Sequence, residues 1–500
     1  MQYPLCFQPT SSGLWAILCL VFGATVVSCG YPCHDVGPPD VNFMFKLYHR
    51  LTSKSPSHNI LYSPVDISSA LVTLSLGARS NTQTQILEGL QFNLTEISED
   101  EILRGYQCIQ INLNLPGMWP DTKLGSALFV APGALPSPDF IDEAADIFGS
   151  EIIYADFQDP EEAKHQIDEY IKEQTLDRIK NAIPSLDDYT SPVLVSTPFI
   201  KGQWVFPFDA SQTIDEMDFF VDDGTVVKVP VMYQKGQFLI YRDEEVACTT
   251  VHKEFVTSSG VYFILPDEGK MKQVEEAMSG ELLLKWFYNS VPSDFELYVP
   301  KFSLSATYDL EEILSDIGIE DLFTQRADLS GLTNQSGAAV SKVRHSATLE
   351  VEEDGLIAAG STGIVVSSGP AHTLPAPSHR SPPVHSEGTT MTFQSPILFN
   401  RPFLIGVFHG RAYTTLFWGK VVNPALRRDE RMVMVDGPCQ FVASRQRDCN
   451  VLGAKVSVSL GSSLSWLMVN QHSHGSKDNS TISSGYHWIK ELLLSCYCEI

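Results

Sequence analysis

Positive charge is scarce in this 500-residue chain: 34 Lys and Arg stand against 60 Asp and Glu, a formal net charge of −26. A protein that grips duplex phosphates needs clustered Lys and Arg to displace counterions, so nucleic acid is excluded as a partner. An acidic surface favours solubility and draws basic partners without identifying them. Catalytic signatures are missing as well. Neither GxSxG, GxGxxG, a Walker loop nor HExxH occurs, and Gly360-Ser361-Thr362-Gly363 misses the nucleophile-elbow spacing, so the chain reads as a non-enzyme. Cysteine is thin where it would matter: only Cys108 and Cys248 fall within residues 40–424. A body this large is held by apolar burial, so both are expected to be unpaired and buried. Cys496-Tyr497-Cys498 lacks the spacing of a zinc site, and His472 and His474 form an isolated tail pair, so neither a metal nor a cofactor is expected.

Residues 1–12 contain no Lys or Arg, but the run LWAILCLVFGATVV, Leu14 to Val27, sits where a secretory signal has its apolar core and is short for a membrane span. Residues 1–29 are therefore expected to be a signal peptide, with an uncleaved anchor as the alternative. Its removal would leave a protein secreted to the extracellular space with no membrane attachment. Asn93-Leu94-Thr95 and Asn334-Gln335-Ser336 fit the N-glycosylation acceptor pattern. Hydrophobic residues make up 43%, ordinary for a folded protein.

Apolar spacing predicts helices over Val41–Leu51 and Glu161–Ile179, and strands over Phe199–Trp204, Val226–Met232, Val261–Leu265 and Phe295–Leu304. Helices come early and strands cluster later, which indicates α+β rather than a βαβ repeat. The stretch EVEEDGLIAAGSTGIVV, Glu350 to Val366, combines an acidic lead-in with Gly355, Ala358, Ala359, Gly360, Ser361, Thr362 and Gly363. As a strand it would place Leu356, Ala358, Gly360, Thr362, Ile364 and Val366 on one face and Ile357, Ala359, Ser361, Gly363 and Val365 on the other. Its small side chains would offer little resistance to entry between existing strands; as a loop it would be a flexible linker.

Further segments carry a family resemblance. HNILYSPVDISSALVTLSLGARSNTQTQILEGLQFNLT, FIKGQWVFPFD, KVPVM, FILPDEGKM, VPKFSLSATYDLEEILSDIGIEDLF, ADLSGLT and FNRPFLIGVF follow one another in order. From about Asn42 to Pro424 the sequence resembles the serpin family, with a texture near the extracellular α1-antitrypsin-like (clade A) members, which include antichymotrypsin-like inhibitors and plasma hormone carriers. The resemblance implies a serpin domain over 40–424 in an α+β fold of three β-sheets, about eight or nine helices and an exposed reactive loop at about 355–398. It also implies a monomer that traps an extracellular serine protease as a suicide substrate, by inserting the cut loop into the central sheet. The alternatives are a non-inhibitory carrier of a small apolar ligand and a degenerate family member.

Carried over residue by residue, the pattern makes Glu353 the end of the preceding strand and Gly355, Leu356, Ala358, Ala359 and Gly360 the hinge. Lys301 matches the lysine that pairs with Glu353, and Trp204 the tryptophan below the opening point. Asp66, Ser196 and His345 stand where the family keeps a polar cluster under the sheet; a buried Asp66 would need pairing, which His345 could supply. The scissile region falls at Ser367, Ser368, Gly369 and Pro370. Three departures stand out. Leu356 and Ile357 replace the small or polar residues usual after the hinge glycine, so Leu356 is expected to overpack on insertion. Pro198 removes a ladder donor from an interior strand. The loop is roughly twenty residues longer than usual for the family, carrying Pro370, Pro375, Pro377, Pro382, Pro383 and Pro396. After Pro424, residues 425–500 form an atypical extension expected to be poorly ordered, either a genuine appendage or the product of an unspliced or mispredicted exon.

Overall fold

The computed structural model describes residues 32–426 except 116–120, 134–135, 187–189, 257–258, 334, 336 and 368–395, together with 448–451 and 454–457. The expected signal peptide at 1–29 lies outside the described residues. The chain divides into a unit ending at Met434 and another from Val435 to Ile500. In the second, the described residues form an antiparallel hairpin of Asp448–Val451 and Ala454–Ser457.

Helix α1 (Pro32–Lys54) is followed by strand β1 (Ile60–Tyr62), then α2 (Pro64–Gly77), α3 (Ser80–Gly89) and α4 (Glu99–Leu113). Three helix starts use the same device, an oxygen-bearing cap followed by proline. Ser63-Pro64 opens α2, Ser137-Pro138 opens α5 (Pro138–Phe148) and Asp159-Pro160 opens α6 (Pro160–Gln174). In each the cap side chain accepts a first-turn amide, while proline removes a donor that would have had no partner. The α2 cap matters most here because it fixes Asp66 in the first turn of a helix buried along its whole length.

Helix α6 stops five residues short of the expected Ile179. Leu176 and Asp177 take positive φ, and Thr175 turns its hydroxyl back onto the Ile171 carbonyl. The expected strand Phe295–Leu304 is two strands, β9 (Val291–Pro300) and β10 (Phe302–Asp309), which break at Lys301 and belong to different sheets. Apolar alternation continues through such a crossing, so it was invisible to the pattern.

The first sheet has six strands in the order β10, β11 (Ala339–Val351), β12 (Gly355–Ser367), β4 (Thr190–Gln203), β2 (Asp121–Val130) and β3 (Glu151–Tyr154). The other large sheet runs β1, β15 (Thr414–Val421), β14 (Phe403–His409), β8 (Gly260–Pro266), β7 (Cys248–Glu254), β6 (Thr225–Asp243), β9 and β13 (Ile397–Leu398), with β5 (Ile214–Asp222) also on β6. Strand β6 is 19 residues long and joins what would otherwise be two smaller sheets: its first part pairs β5, its last part β7. Helices α7 (Met271–Ala277), α8 (Gly280–Asn289) and α9 (Glu311–Asp316) complete the unit. One large core lies between the sheets and the early helices. A smaller one, with Ile167 and Ile171 of α6, lies on the other face of the six-stranded sheet.

Cys108 is not unpaired. It forms a disulfide with Cys33 on α1, 75 residues earlier, while Cys248 is free and buried as expected. Cys33 lies just outside the apparent domain start at residue 40, which is why counting cysteines within the body missed the pair.

Candidate functional site

Strand β12, whose sequence suits either a strand or a flexible loop, is an interior strand. It runs antiparallel to both neighbours, from Leu356 opposite Val351 and Gly202 to Ser367 opposite Ala339 and Thr190. Leu356, Ala358, Ile364 and Val366 enter the large core, whereas Ala359 and Val365 enter the smaller one with Ile357 packed against it. The two faces are those that strict alternation gives. Leu356 is 1% exposed and sits within the large core.

Close approach explains the glycines. A Cβ on Gly355 would lie 2.0 Å from the Gly202 carbonyl oxygen, and one on Gly360 would lie 3.0 Å from Pro198 Cγ. Pro198 does occupy an interior strand. The β4–β12 ladder passes from Ala359–Phe199 to Thr362–Ser196 without pairing at the two positions between, and Ser361 Oγ and Thr197 Oγ1 make no hydrogen bond there. The missing proline donor is thus accommodated by an interrupted ladder beside a glycine.

At the start of β12, Lys301 Nζ donates to Glu353 at 2.7 Å and lies 3.6 Å from Glu352. Thr213 Oγ1 also donates to Glu353, at 2.9 Å. Burial resists ionisation of Glu353, but the hydrogen bond from Lys301 and the other donors outweigh it and hold the carboxyl below its ordinary value. The same bond raises the Lys301 ammonium. Trp204 is buried beneath, its Nε1 donating to the Glu352 carbonyl and its ring stacked on Phe255 at 5.0 Å. Lys253 lies under these rings, with Nζ 5.2 Å from the Trp204 centroid and 4.3 Å from that of Phe208.

Farther along, Thr362 reaches a buried cluster. Its Oγ1 donates to Asp66 Oδ2 at 2.7 Å and lies 2.9 Å from His345 Nδ1. The Ser63 backbone N–H donates to His345 Nε2 at 3.0 Å, which places the ring proton on Nδ1 and makes the imidazole a neutral donor to Thr362. His345 Nδ1 is also 3.3 Å from Asp66 Oδ2, while Asp66 Oδ1 makes no hydrogen bond. Asp66 and His345 are fully buried and adjacent. Ser196 lies directly opposite Thr362 in the ladder. Sequence reasoning put Thr362 on the same strand face as Leu356, Ile364 and Val366 but gave it no partner.

Ser367 ends β12, whereas Ser368, Gly369 and Pro370 lie outside the described residues. Asn93 is exposed, and its Oδ1 accepts from the backbone and hydroxyl of Thr95; Asn334 lies outside the described residues. Among the described residues no helix is long and apolar enough to cross a membrane, and no cluster of three or more metal-binding side chains occurs.

A family model described as serpin (serine protease inhibitor) matches residues 40–424. The chain belongs to the serpin family. Alpha-1-antiproteinase of Bos taurus is 38% identical over 392 residues, covering 78% of this chain and 89% of its own length. Kallistatin of Homo sapiens is 35% identical over 404 residues, covering 79% and 89%. The crystal structure of human thyroxine-binding globulin complexed with thyroxine matches with a TM-score of 0.68 and 35% identity, covering 79% of this chain and 99% of that one. The relatives of this serpin therefore include both a protein named as an antiproteinase and one named for binding thyroxine. The fold is the α+β serpin fold, with nine α-helices among the described residues.

Proposed function

We propose that this serpin is a secreted, monomeric inhibitor of an extracellular serine protease and acts as a suicide substrate. One observation carries the reading: β12 is received between β11 and β4 with ladders on both sides and its apolar residues buried. A chain that inhibits by insertion needs that acceptance. The protease serine attacks the carbonyl of a residue within 367–370, forms an ester there and releases the amine of the following residue. Insertion of the freed strand then drags the ester-linked protease along the sheet before water completes hydrolysis. Glu353, Gly355, Leu356, Ala358, Ala359 and Gly360 serve as the hinge; Lys301 and Trp204 hold its base, and Asp66, Ser196 and His345 line the opened gap. Asn93, exposed and with its Thr95 hydroxyl in place, carries a glycan.

Kinship with thyroxine-binding globulin makes a small apolar ligand the competing reading. A cavity of about 310 Å³ is lined by Asp328, Ser330, Thr333 and Gln335 together with Leu329 and Ala338, a wall too polar for that purpose. The test is to mix freshly refolded protein with trypsin-, chymotrypsin- and elastase-like proteases. A covalent complex that survives denaturing electrophoresis is expected. Cleavage within 367–370 without any such complex would overturn the reading.

A further inference from the structure

We propose that the outer face of the β5–β6 hairpin is a docking surface for the target protease, and that it selects a serine protease whose surface beside the active-site cleft is basic around an apolar spot. The partner's class rests on the inhibitor reading; the surface itself is read from the hairpin alone. Alternation sends Met217, Phe219 and Val221 of β5, with Val227 and Val229 of β6, toward the core and leaves the other set of side chains in water. That outward set is not the polar one usual for the solvated side of an antiparallel sheet. Phe220 and Val226 stand opposite each other in the ladder, 47% and 51% exposed, and Ile214 at the start of β5 is exposed as well.

Around this apolar pair the hairpin is acidic. From Ile214 to Lys228 it carries Asp215, Glu216, Asp218, Asp222 and Asp223 against Lys228 alone, a net charge of −4. Lys228 is engaged by Asp218, its neighbour across the ladder, at 2.6 Å. Asp222 turns the hairpin by accepting the Gly224 N–H at 2.9 Å, and this bond, with the Thr225 hydroxyl, holds its carboxyl below the ordinary value. Two copies of such a face repel each other, and so do partners that present phosphate, whether nucleic acid or anionic lipid. A basic protein surface with an apolar centre complements it.

Position identifies that protein as the protease. The chain between Glu353 and Asn400, which the inhibitor reading offers for cleavage, is tied to the hairpin at both ends. Thr213, the residue before β5, donates its hydroxyl to Glu353 at 2.9 Å, and the Phe220 N–H donates to the Asn400 carbonyl at 2.8 Å. Beneath, the Phe219 ring meets that of Phe403, centroids 6.5 Å apart. A protease that takes this chain before insertion works beside the strand that holds both its ends. Charge of the right sign there raises the rate of productive encounter.

The test uses the full-length protein with cationic trypsin, chymotrypsin and elastase whose active-site serine is blocked by a small covalent reagent, and with cytochrome c as a cationic protein that is not a protease. At least one blocked protease is expected to bind about tenfold or more tightly than cytochrome c, an advantage that fades as salt rises from about 0.05 to about 0.5 M. Glu216→Gln with Asp223→Asn should weaken that binding about tenfold. Phe220→Thr with Val226→Thr, which keeps strand-forming residues, should weaken it by a similar factor. Both variants should melt with the wild type, because the altered side chains face solvent. With the unblocked protease, covalent complex formation should slow in step. Binding no tighter than that of cytochrome c, or unaffected by the apolar variant, would overturn the proposal. Covalent complexes forming as fast in both variants as in wild type would also overturn it, while the inhibitor reading stands. Docking of blocked protease through this face with no covalent complex ever formed would uphold the surface and remove the inhibitor reading.

Discussion

Lys253 is an ammonium-bearing residue placed where an ammonium is costly. It is 4% exposed beneath Trp204, Phe208 and Phe238, and burial lowers its pKa from 10.5 to about 7. Its two acceptors, the Phe206 carbonyl and Gln234 Oε1, match the two protons of the neutral amine. The ring faces favour the cation, but they do not offset the lost hydration. Between about 7 and 10.5 the unfolded chain binds a proton at this residue that the folded one has shed, so stability rises with pH across that window. Lys253→Met should flatten this rise in denaturant titrations at several pH values, whereas an unchanged slope would show the group to be charged throughout. Thr362 acts at the same scale with the opposite chemistry. Its hydroxyl donates to the buried Asp66 carboxyl, and a hydrogen bond of this kind contributes about 1 kcal/mol net.

Elements differ in how far the sequence disclosed them. Both faces of β12 were legible because a strand's period of two leaves no freedom once the segment pairs on both sides. Whether it would pair was not legible, since the same small residues suit a loop and a central strand, and only the main-chain ladders of β11 and β4 decide. Lys301, Glu353, Asp66 and His345 were identified from family resemblance, yet the threonine that joins the last two depends on insertion. The Cys33–Cys108 disulfide was hidden by its position outside the apparent domain. It ties the first turn of α1 to α4, where Val36 and Gly105 also touch closely, and so fixes the first described helix to the core. Cys33→Ser should cost about 2–4 kcal/mol in reversible denaturation. A loss below about 0.5 kcal/mol would mean that packing alone holds α1.

At the scale of the whole molecule, the proposed inhibition depends on one segment exchanging solvent for a central position in a six-stranded sheet. That exchange buries Leu356, Ile364, Val365 and Val366 and gives main-chain partners to almost every residue from Gly355 to Ser367. The most direct test is amide hydrogen exchange of residues 356–366 in the protein after cleavage within 367–370. The account predicts protection equal to that of the facing amides in β11 and β4; exchange at the rate of an open loop, with β11 and β4 protected, would contradict it.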